Sequence, residues 1–575
     1  MPESSHAAES RQVNVPLPQN NDLPYLCGHR VTRSRQKCCF ASVCGTITDM
    51  YKWFLMTRSV LLRLFAGFFL LYALTSSGDL IGDTQVRWSV ASRLVDTGWV
   101  DLVPGTTLLF AVGGDGKPYS YYGPAQSVCL LPYVLAGRAV AAVAHQSAAR
   151  ADQIGQFLAS LTLFPAFGAF AIVLVYTLAR DGSQDARTAL LVAIVYGLAT
   201  MHWHHSVTTY EESQVAVCVL GSLWAIRRAW NTNQFRFRLL AVAAMGVALT
   251  FRVSSVAMTV PLGLVALGYD LFDARGAAER IRRATHWLFA VLIGVGPFVA
   301  LLAAYNQSRF GSVWETGYAI AHWDEPGGVK LFDTPLLIGL SGMLFSPGKS
   351  LFLFNPVLLA AIPGFLGLWR VQRRLAVAIA VPFVGTLLFH SWYTFWAGDL
   401  AWGPRYLASA MGFCVLALIP LMKQPRLPRA VIVLAAVSVC VQVASIIYSF
   451  GLEFFQDRRH GTIPDGYVWR PAESQLYSRF RNIILHAWGR PSYESIPPIQ
   501  ERQVTHHIVT SREAVQRLHA INIFPFKAYA ATGSRAIFLA LLAIWLTGLG
   551  LLSFLVYGFN RYSAQVETHS SPECT

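Results

Sequence analysis

The sequence predicts an all-α polytopic membrane protein with about twelve transmembrane helices and interfacial helices in the first external loop. Three observations carry that prediction. Of 575 residues, 54% are hydrophobic and only 13% charged, with a mean hydropathy of +0.43. Apolar runs of spanning or near-spanning length recur from one end to the other. The Lys and Arg behind the net charge of +15 gather in short clusters between those runs. In a soluble protein such a charge would suggest nucleic acid; here the clusters read as topology signals.

Taken in order, residues 1–57 are polar and irregular and are expected to form a disordered cytoplasmic tail. Met50 or Met56 is an alternative start. No signal peptide precedes Arg58, and the first apolar run is long enough to be a retained span. The nine cysteines form no paired framework. Cys27, Cys38, Cys39 and Cys44 cluster without a C-x-x-C pair, which argues against zinc. Cys129, Cys218, Cys414 and Cys440 fall in apolar runs, and Cys574 in the tail.

Apolar runs occupy 58–77, 126–146, 153–179, 188–203, 213–230, 238–251, 254–270 and 286–305, then 351–369, 375–392, 405–421, 430–452 and 536–558. A transmembrane core is therefore expected over 58–452. An external polar region follows over 453–534, and 535–575 holds the last transmembrane helix and a cytoplasmic tail.

The basic N-terminus, with Arg30, Arg33, Arg35, Lys37 and Lys52, belongs in the cytoplasm. If 126–146 and 153–179 each crossed once, the basic loop "RRAWNTNQFRFR" would be exported. The segment 126–146 is therefore read as interfacial or re-entrant, although three crossings there would satisfy parity as well. Every later basic loop then falls inside. The aromatic and charged loops at 78–125, 305–350 and 391–406 fall outside, together with "HWHHSVTTYEES". Chemistry is expected on that outer face, at a multi-pass plasma (inner) membrane and toward the periplasm or exterior.

Within the first loop, "DTQVRWSVASRLVDTGWV" spaces Val86, Val90, Leu94 and Val95 as an amphipathic interfacial helix, with Arg87 and Arg93 on its other side. Asp83 stands at the start of that helix. Two readings are open: it caps backbone N–H groups, or it is a general base for an acceptor hydroxyl. Asp79 reads as a solvated or structural acid. Lys117 and the tyrosines around Tyr122 suit interfacial anchors, and a lysine there can also hold a lipid phosphate.

His202, His204 and His205 with Glu211 and Glu212 lack metal-ligand spacing, so no cofactor is expected, with a divalent metal left as an alternative. One of the glutamates projecting into an outward cavity fits better. Arg252 lies between two apolar runs, where an arginine must face protein, water or a headgroup. Lys349 in "SPGKSLFLFNP" and Arg405 in "WGPRYL" each follow a Pro/Gly turn at an outer span boundary. Either is a snorkelling anchor or, jointly with Arg252, part of a phosphate cradle.

In their order, "GDTQVRWSVASRLVDTGWVDL", "GKPYSYYGPAQSVCLLPYVLAGR", "LTFRVSSVAM", "YNQSRFGSVWETGY", "GMLFSPGKSLFLFNP" and "WYTFWAGDLAWGPRYL" resemble bacterial membrane glycosyltransferases of the GT-C fold. The resemblance is to the dolichyl-phosphate-mannose protein mannosyltransferase and aminoarabinose transferase group, and it covers roughly residues 58–425. It implies transfer of a sugar from a polyprenyl-phosphate carrier, with inversion, to a lipid, glycan or protein acceptor. By position it implies Asp83 as the base, and Arg252, Lys349 and Arg405 as ligands of the phosphate leaving group. Tyr318 and Trp402 would line the sugar or acceptor site. Glu212 stands where relatives often carry His, so a second carboxylate role is open. The competing expectation is a transporter or lipid flippase, but the two matching halves usual in such proteins are not found.

Overall fold

The computed structural model describes residues 60–103, 109–321, 330–449, 453, 465–489 and 520–569. The expected N-terminal tail, its four cysteines, Cys574 and much of the 453–534 region lie outside the described residues. Contacts divide the chain into Met1–Val60 and Leu61–Thr575, and the architecture below is that of the second unit.

The described chain is helical apart from one short hairpin. It begins with α1 (Val60–Thr75), followed by α2 (Asp83–Thr97), the strands β1 (Ala111–Val112) and β2 (Pro118–Tyr119), α3 (Pro124–Val143) and α4 (Ala148–Ser183). Next come α5 (Ala186–Leu198), α6 (His202–Val207), α7 (Glu212–Thr232), α8 (Phe235–Phe251) and α9 (Val256–Phe272). Then follow α10 (Ala277–Gly294), α11 (Gly296–Phe310), α12 (Leu336–Phe345), α13 (Leu351–Phe354), α14 (Ala361–Val371) and α15 (Arg373–Trp392). The order closes with α16 (Met411–Leu416), α17 (Ile419–Met422), α18 (Arg429–Ile447), α19 (Asp465–Trp469), α20 (Gln475–Ala487), α21 (Phe524–Thr532) and α22 (Arg535–His569).

Among the described residues, 7 helical stretches are long and apolar enough to cross a membrane, and further apolar helices are shorter. The apolar runs behind the expected count of about twelve spans thus form a mixture of long and broken helices. Broken helices are tolerated at such depth only where their ends are covered by protein or line a cavity. The segment expected to be interfacial or re-entrant at 126–146 is one continuous helix, α3, of spanning length. It lies directly on α4: a Cβ on Gly137 would meet the Ala151 carbonyl oxygen at 2.3 Å, and one on Gly155 the Tyr133 carbonyl oxygen at 2.5 Å. Small residues let the two backbones touch.

Local signals start and stop the helices that frame the site. Ser147 caps α4 by accepting from Arg150 N, and Asp185 caps α5 by accepting from Arg187 N and Thr188 N. α8 stops at Phe251 because Arg252 is extended, at φ −147° and ψ 116°, before a 3-10 turn over Val253–Ser255 leads into α9. Beyond α15 the chain runs irregularly to a 3-10 turn at Arg405–Ala410. The hairpin pairs Ala111 with Tyr119, and a bridge from Ala111 to Ala321 ties the first loop to the segment after α11. Arg309 donates to the Ser120 carbonyl from α11, fixing the Tyr121 and Tyr122 turn from behind.

Candidate functional site

Six ionised side chains from four parts of the chain meet where these irregular segments converge. Asp83 opens α2 and Arg87 lies one turn further along the same face. Glu211 and Glu212 stand at the start of α7, Arg252 at the break between α8 and α9, and Arg405 at the 3-10 turn after α15. They alternate in sign. Arg405 holds Asp83 through Nη2 and Glu212 Oε1 through Nε at 2.9 Å. Arg252 donates from Nη2 to Glu212 Oε1 at 2.6 Å and from Nε to Glu211 Oε1 at 2.8 Å. Arg87 Nη2 closes the series 2.8 Å from Glu211 Oε2. Three acids against three arginines leave the group neutral. Each buried charge therefore has a partner, which lowers the cost of burial.

Asp83, Glu211, Arg252 and Arg405 also line a cavity of about 220 Å³, with Tyr121, Tyr122, Tyr318, Tyr393, His390, Tyr406 and Asp399. Aromatic rings support the cations: Arg87 lies 4.1 Å over Tyr122, Arg405 4.1 Å over Tyr210 and Arg252 5.6 Å over Tyr406. Arg252 and Arg405 each use Nε and Nη2 on carboxylates, and the remaining Nη1 of each has no partner among the described residues. Neither Nη1 is sealed away from the cavity space. Two guanidinium groups are thus locked in place, each with a spare donor edge.

Burial alone would raise the Asp83 carboxyl, but the charges of Arg405 and Arg87 and a hydrogen bond from Tyr122 outweigh it and hold it below the ordinary carboxylate range. Because the folded value is the lower one, the interaction adds stability above the unfolded value of about 3.9 and loses it as pH falls through the folded value. Asp83→Asn is therefore expected to lower the unfolding midpoint in detergent near pH 6. The gap to wild type should close as the pH drops below about 4. A gap of constant size at every pH would mean that the Asp83 charge is not its source.

The structure brings only some of the sequence-predicted residues to this wall. Tyr122 and Tyr318 line it, with Tyr121 and Tyr318 ring centroids 4.9 Å apart. Glu212 is buried behind the wall as the shared partner of two arginines. Lys349, fully buried, donates Nζ to the carbonyls of Asp399 and Ala401 at 2.7 and 2.6 Å and is not on the wall. Lys117 is exposed, 3.8 Å from Asp115 and 6.0 Å over Trp99. Trp402 is buried against Phe354 and Arg479, at 4.8 and 5.0 Å, rather than lining the cavity.

Asp83 makes no helix-capping bond; its carboxylate turns to Arg405 instead. Arg87, expected on the side of α2 away from its apolar face, is 1% exposed because Glu211 and the Tyr122 ring receive it. Its spacing of four from Asp83 places both on one helix face, a sequence signal by which it could have been found. Arg309 was not singled out by sequence, whereas of the two glutamates of which one was expected to project into an outward cavity, Glu211 is the one on the wall. Asp79 is half exposed and pairs with Lys527 at 3.3 Å. The histidines disperse: His202 bonds the Gly168 carbonyl at 3.0 Å and stacks on Tyr196, His204 lies beside Trp402, and His205 is 4.0 Å from Glu212. Among the described residues no group of three or more metal-ligating side chains converges.

No family model matches the chain, and no curated protein matches it. Among solved structures it is similar to the crystal structure of ArnT from Cupriavidus metallidurans bound to undecaprenyl phosphate. The identity is 14% and the TM-score 0.43, over 80% of this chain and 84% of that one. It is also similar to the same protein in the apo state, at 14% identity and a TM-score of 0.39, over 88% of this chain and 76% of that one. Likeness at that level does not by itself assign this chain a family or an activity.

Proposed function

We propose that this protein is a GT-C glycosyltransferase that moves a sugar from a polyprenyl-phosphate carrier to an acceptor hydroxyl at the outer face of the membrane, with inversion. The observation that carries this reading is a junction. The cavity with its two fixed guanidinium groups adjoins a mainly apolar groove of about 500 Å³ lined by Pro335, Leu336, Leu388 and Trp392, with Asp333 and Thr334 at its polar edge, and the two share Phe332 and Phe389. A polar anion-binding head with an apolar trough beside it suits a lipid phosphate better than a free nucleotide sugar.

In this scheme the phosphate rests on the spare edges of Arg252 and Arg405, and the isoprenoid chain lies along Leu388 and Trp392. The sugar stands among Tyr121, Tyr122 and Tyr318. The acceptor oxygen attacks the anomeric carbon from the face opposite the phosphate, which inverts it. Charge grows on the leaving phosphate as the bond breaks, and preorganised guanidinium groups stabilise it most at that moment. Glu212 keeps both groups aimed. The acceptor proton goes to a cavity carboxylate, of which Asp83 is the one the sequence singles out. The scheme uses no metal or cofactor. Lys117, Lys349 and Trp402 take no direct part in it.

Radiolabelled undecaprenyl-phosphate monosaccharides, offered to membranes containing the protein, are expected to lose their label to membrane acceptors and release undecaprenyl phosphate. Leu388→Asp places a charge in the groove and is expected to raise KM for the long-chain donor about tenfold or more, with little effect on a ten-carbon donor. No transfer from any donor, together with solute uptake into vesicles, would favour a transporter instead.

A further inference from the structure

Among the described residues the cavity wall carries three carboxylates: Asp83, Glu211 and Asp399. The first two are occupied by arginines. Asp399 differs, because no hydrogen bond or ion pair to its carboxylate is found among the described residues, only longer-range charge interactions. By surface area the side chain is open to the cavity, yet protein atoms surround it on most sides. Those surroundings raise its carboxyl above the usual value, and Arg405 and Lys349 draw it back only in part.

The loop that presents Asp399 is held with unusual firmness. Asp399 has φ +50°, a left-handed conformation that outside glycine is taken mostly by Asn, Asp and His, and it follows Gly398 at +65°. Three successive carbonyls are gripped by side chains from elsewhere. Lys349 donates to those of Asp399 and Ala401, and Gln475 Nε2, from α20, to that of Leu400 at 2.9 Å. A backbone kept in a sparsely populated conformation by surroundings that over-determine it is a mark of a functional position. An acid that merely faced bulk water would need no buried lysine to aim it.

We infer that Asp399 is the general base of the transfer proposed above, taking the proton of the acceptor hydroxyl, while Asp83 orients Arg405. The inference rests on that transfer reading. The acceptor oxygen bonds to the anomeric carbon as the bond from that carbon to the phosphate oxygen breaks. The electron pair leaves with the lipid phosphate toward Arg252 and Arg405, and the proton ends on an Asp399 carboxylate oxygen. Asp83 is the weaker base because Arg405 already occupies its Oδ2. Asp399 is uncommitted and of higher basicity, as proton abstraction requires. Lys349 then serves as a positioning residue that aims the base.

Azide separates the roles, since it attacks an anomeric carbon with no proton to lose. With purified protein and a panel of radiolabelled undecaprenyl-phosphate monosaccharides, Asp399→Asn is expected to lose transfer to hydroxyl acceptors by about 10²- to 10⁴-fold. Glycosyl azide formation in sodium azide should persist near the wild-type rate. The Kd for undecaprenyl phosphate should stay within about twofold, a change of well under 1.4 kcal/mol. Asp83→Asn should lose both products together, because the guanidinium that receives the leaving phosphate is loosened. Hydroxyl transfer by Asp399→Asn at the wild-type rate overturns the assignment. Joint loss of the azide product and of lipid-phosphate binding overturns it too, by showing a structural role. Wild-type protein that uses no donor at all would instead bring down the transfer reading, and the assignment with it.

Discussion

Arg405→Gln is expected to abolish transfer and to cost about 3 to 5 kcal/mol of stability, the range for leaving buried charges without their partner. Arg405 joins two acids that no other described residue joins: Nε holds Glu212 and Nη2 holds Asp83, with the Tyr210 ring beneath the guanidinium plane. Their side chains are only 1% and 15% exposed, so water cannot replace the lost cation at Glu212. Arg405→Lys should recover part of the stability but little transfer. One ammonium cannot reproduce a planar fork that meets two carboxylates and keeps a further edge free. The Arg405→Gln, Glu212→Gln double variant should be more stable than Arg405→Gln alone, because fewer charges are left unpaired. Unfolding midpoints in detergent, measured beside the transfer assay, check each of these. An Arg405→Gln midpoint equal to wild type would show that the network does not hold the fold together.

Gly123→Ala should be nearly as damaging, although it touches no charge. A Cβ at that position would sit 2.2 Å from the Thr250 carbonyl oxygen and 3.1 Å from that of Phe251. Both oxygens belong to the last turn of α8, directly before Arg252. Gly123 itself cannot retreat easily, because Pro124 begins α3 immediately after it and the Tyr121 and Tyr122 turn lies before it. The clash is expected to cost roughly 1 to 3 kcal/mol and to displace Arg252 from the cavity wall. Donor KM should therefore rise further than the lost stability explains. Gly221→Ala is the control: its Cβ would meet nothing nearer than Leu174 at 4.0 Å, and alanine inside a helix is favourable there. Equal damage from both variants would show that the contact with Thr250 is not the cause.

Much of the site was legible because the chain is so apolar. In a segment such as "ALTFRVSSVAM" a single arginine is conspicuous, since placing it there is costly unless something receives it. Arg252, Arg405 and Asp83 stood out for that reason, and the parity of the basic loops assigned them to one face. The fold brings them into contact, although Asp83 and Arg405 are 322 positions apart. Lys349 shows where such reasoning stops. A cation at a span boundary after a Pro/Gly turn is the same sequence signal whether its ammonium meets a phosphate or two carbonyls. The path of residues 399–401 decides between them. Arg87 was misplaced because a helical wheel scores charge as solvent-facing, whereas Glu211 and Tyr122 approach α2 from other parts of the chain.

By itself the sequence determined that the chain is helical and suited to a membrane. Transfer free energies and the bias of basic residues add up locally, over stretches of about twenty residues. Only the tertiary structure decided which arginine meets which acid, that Lys349 braces a loop, and that Asp399 has no hydrogen-bonding or ion-pair partner among the described residues. Those outcomes depend on the meeting of loops distant in the chain, at distances near 3 Å, and no local pattern of hydropathy encodes them.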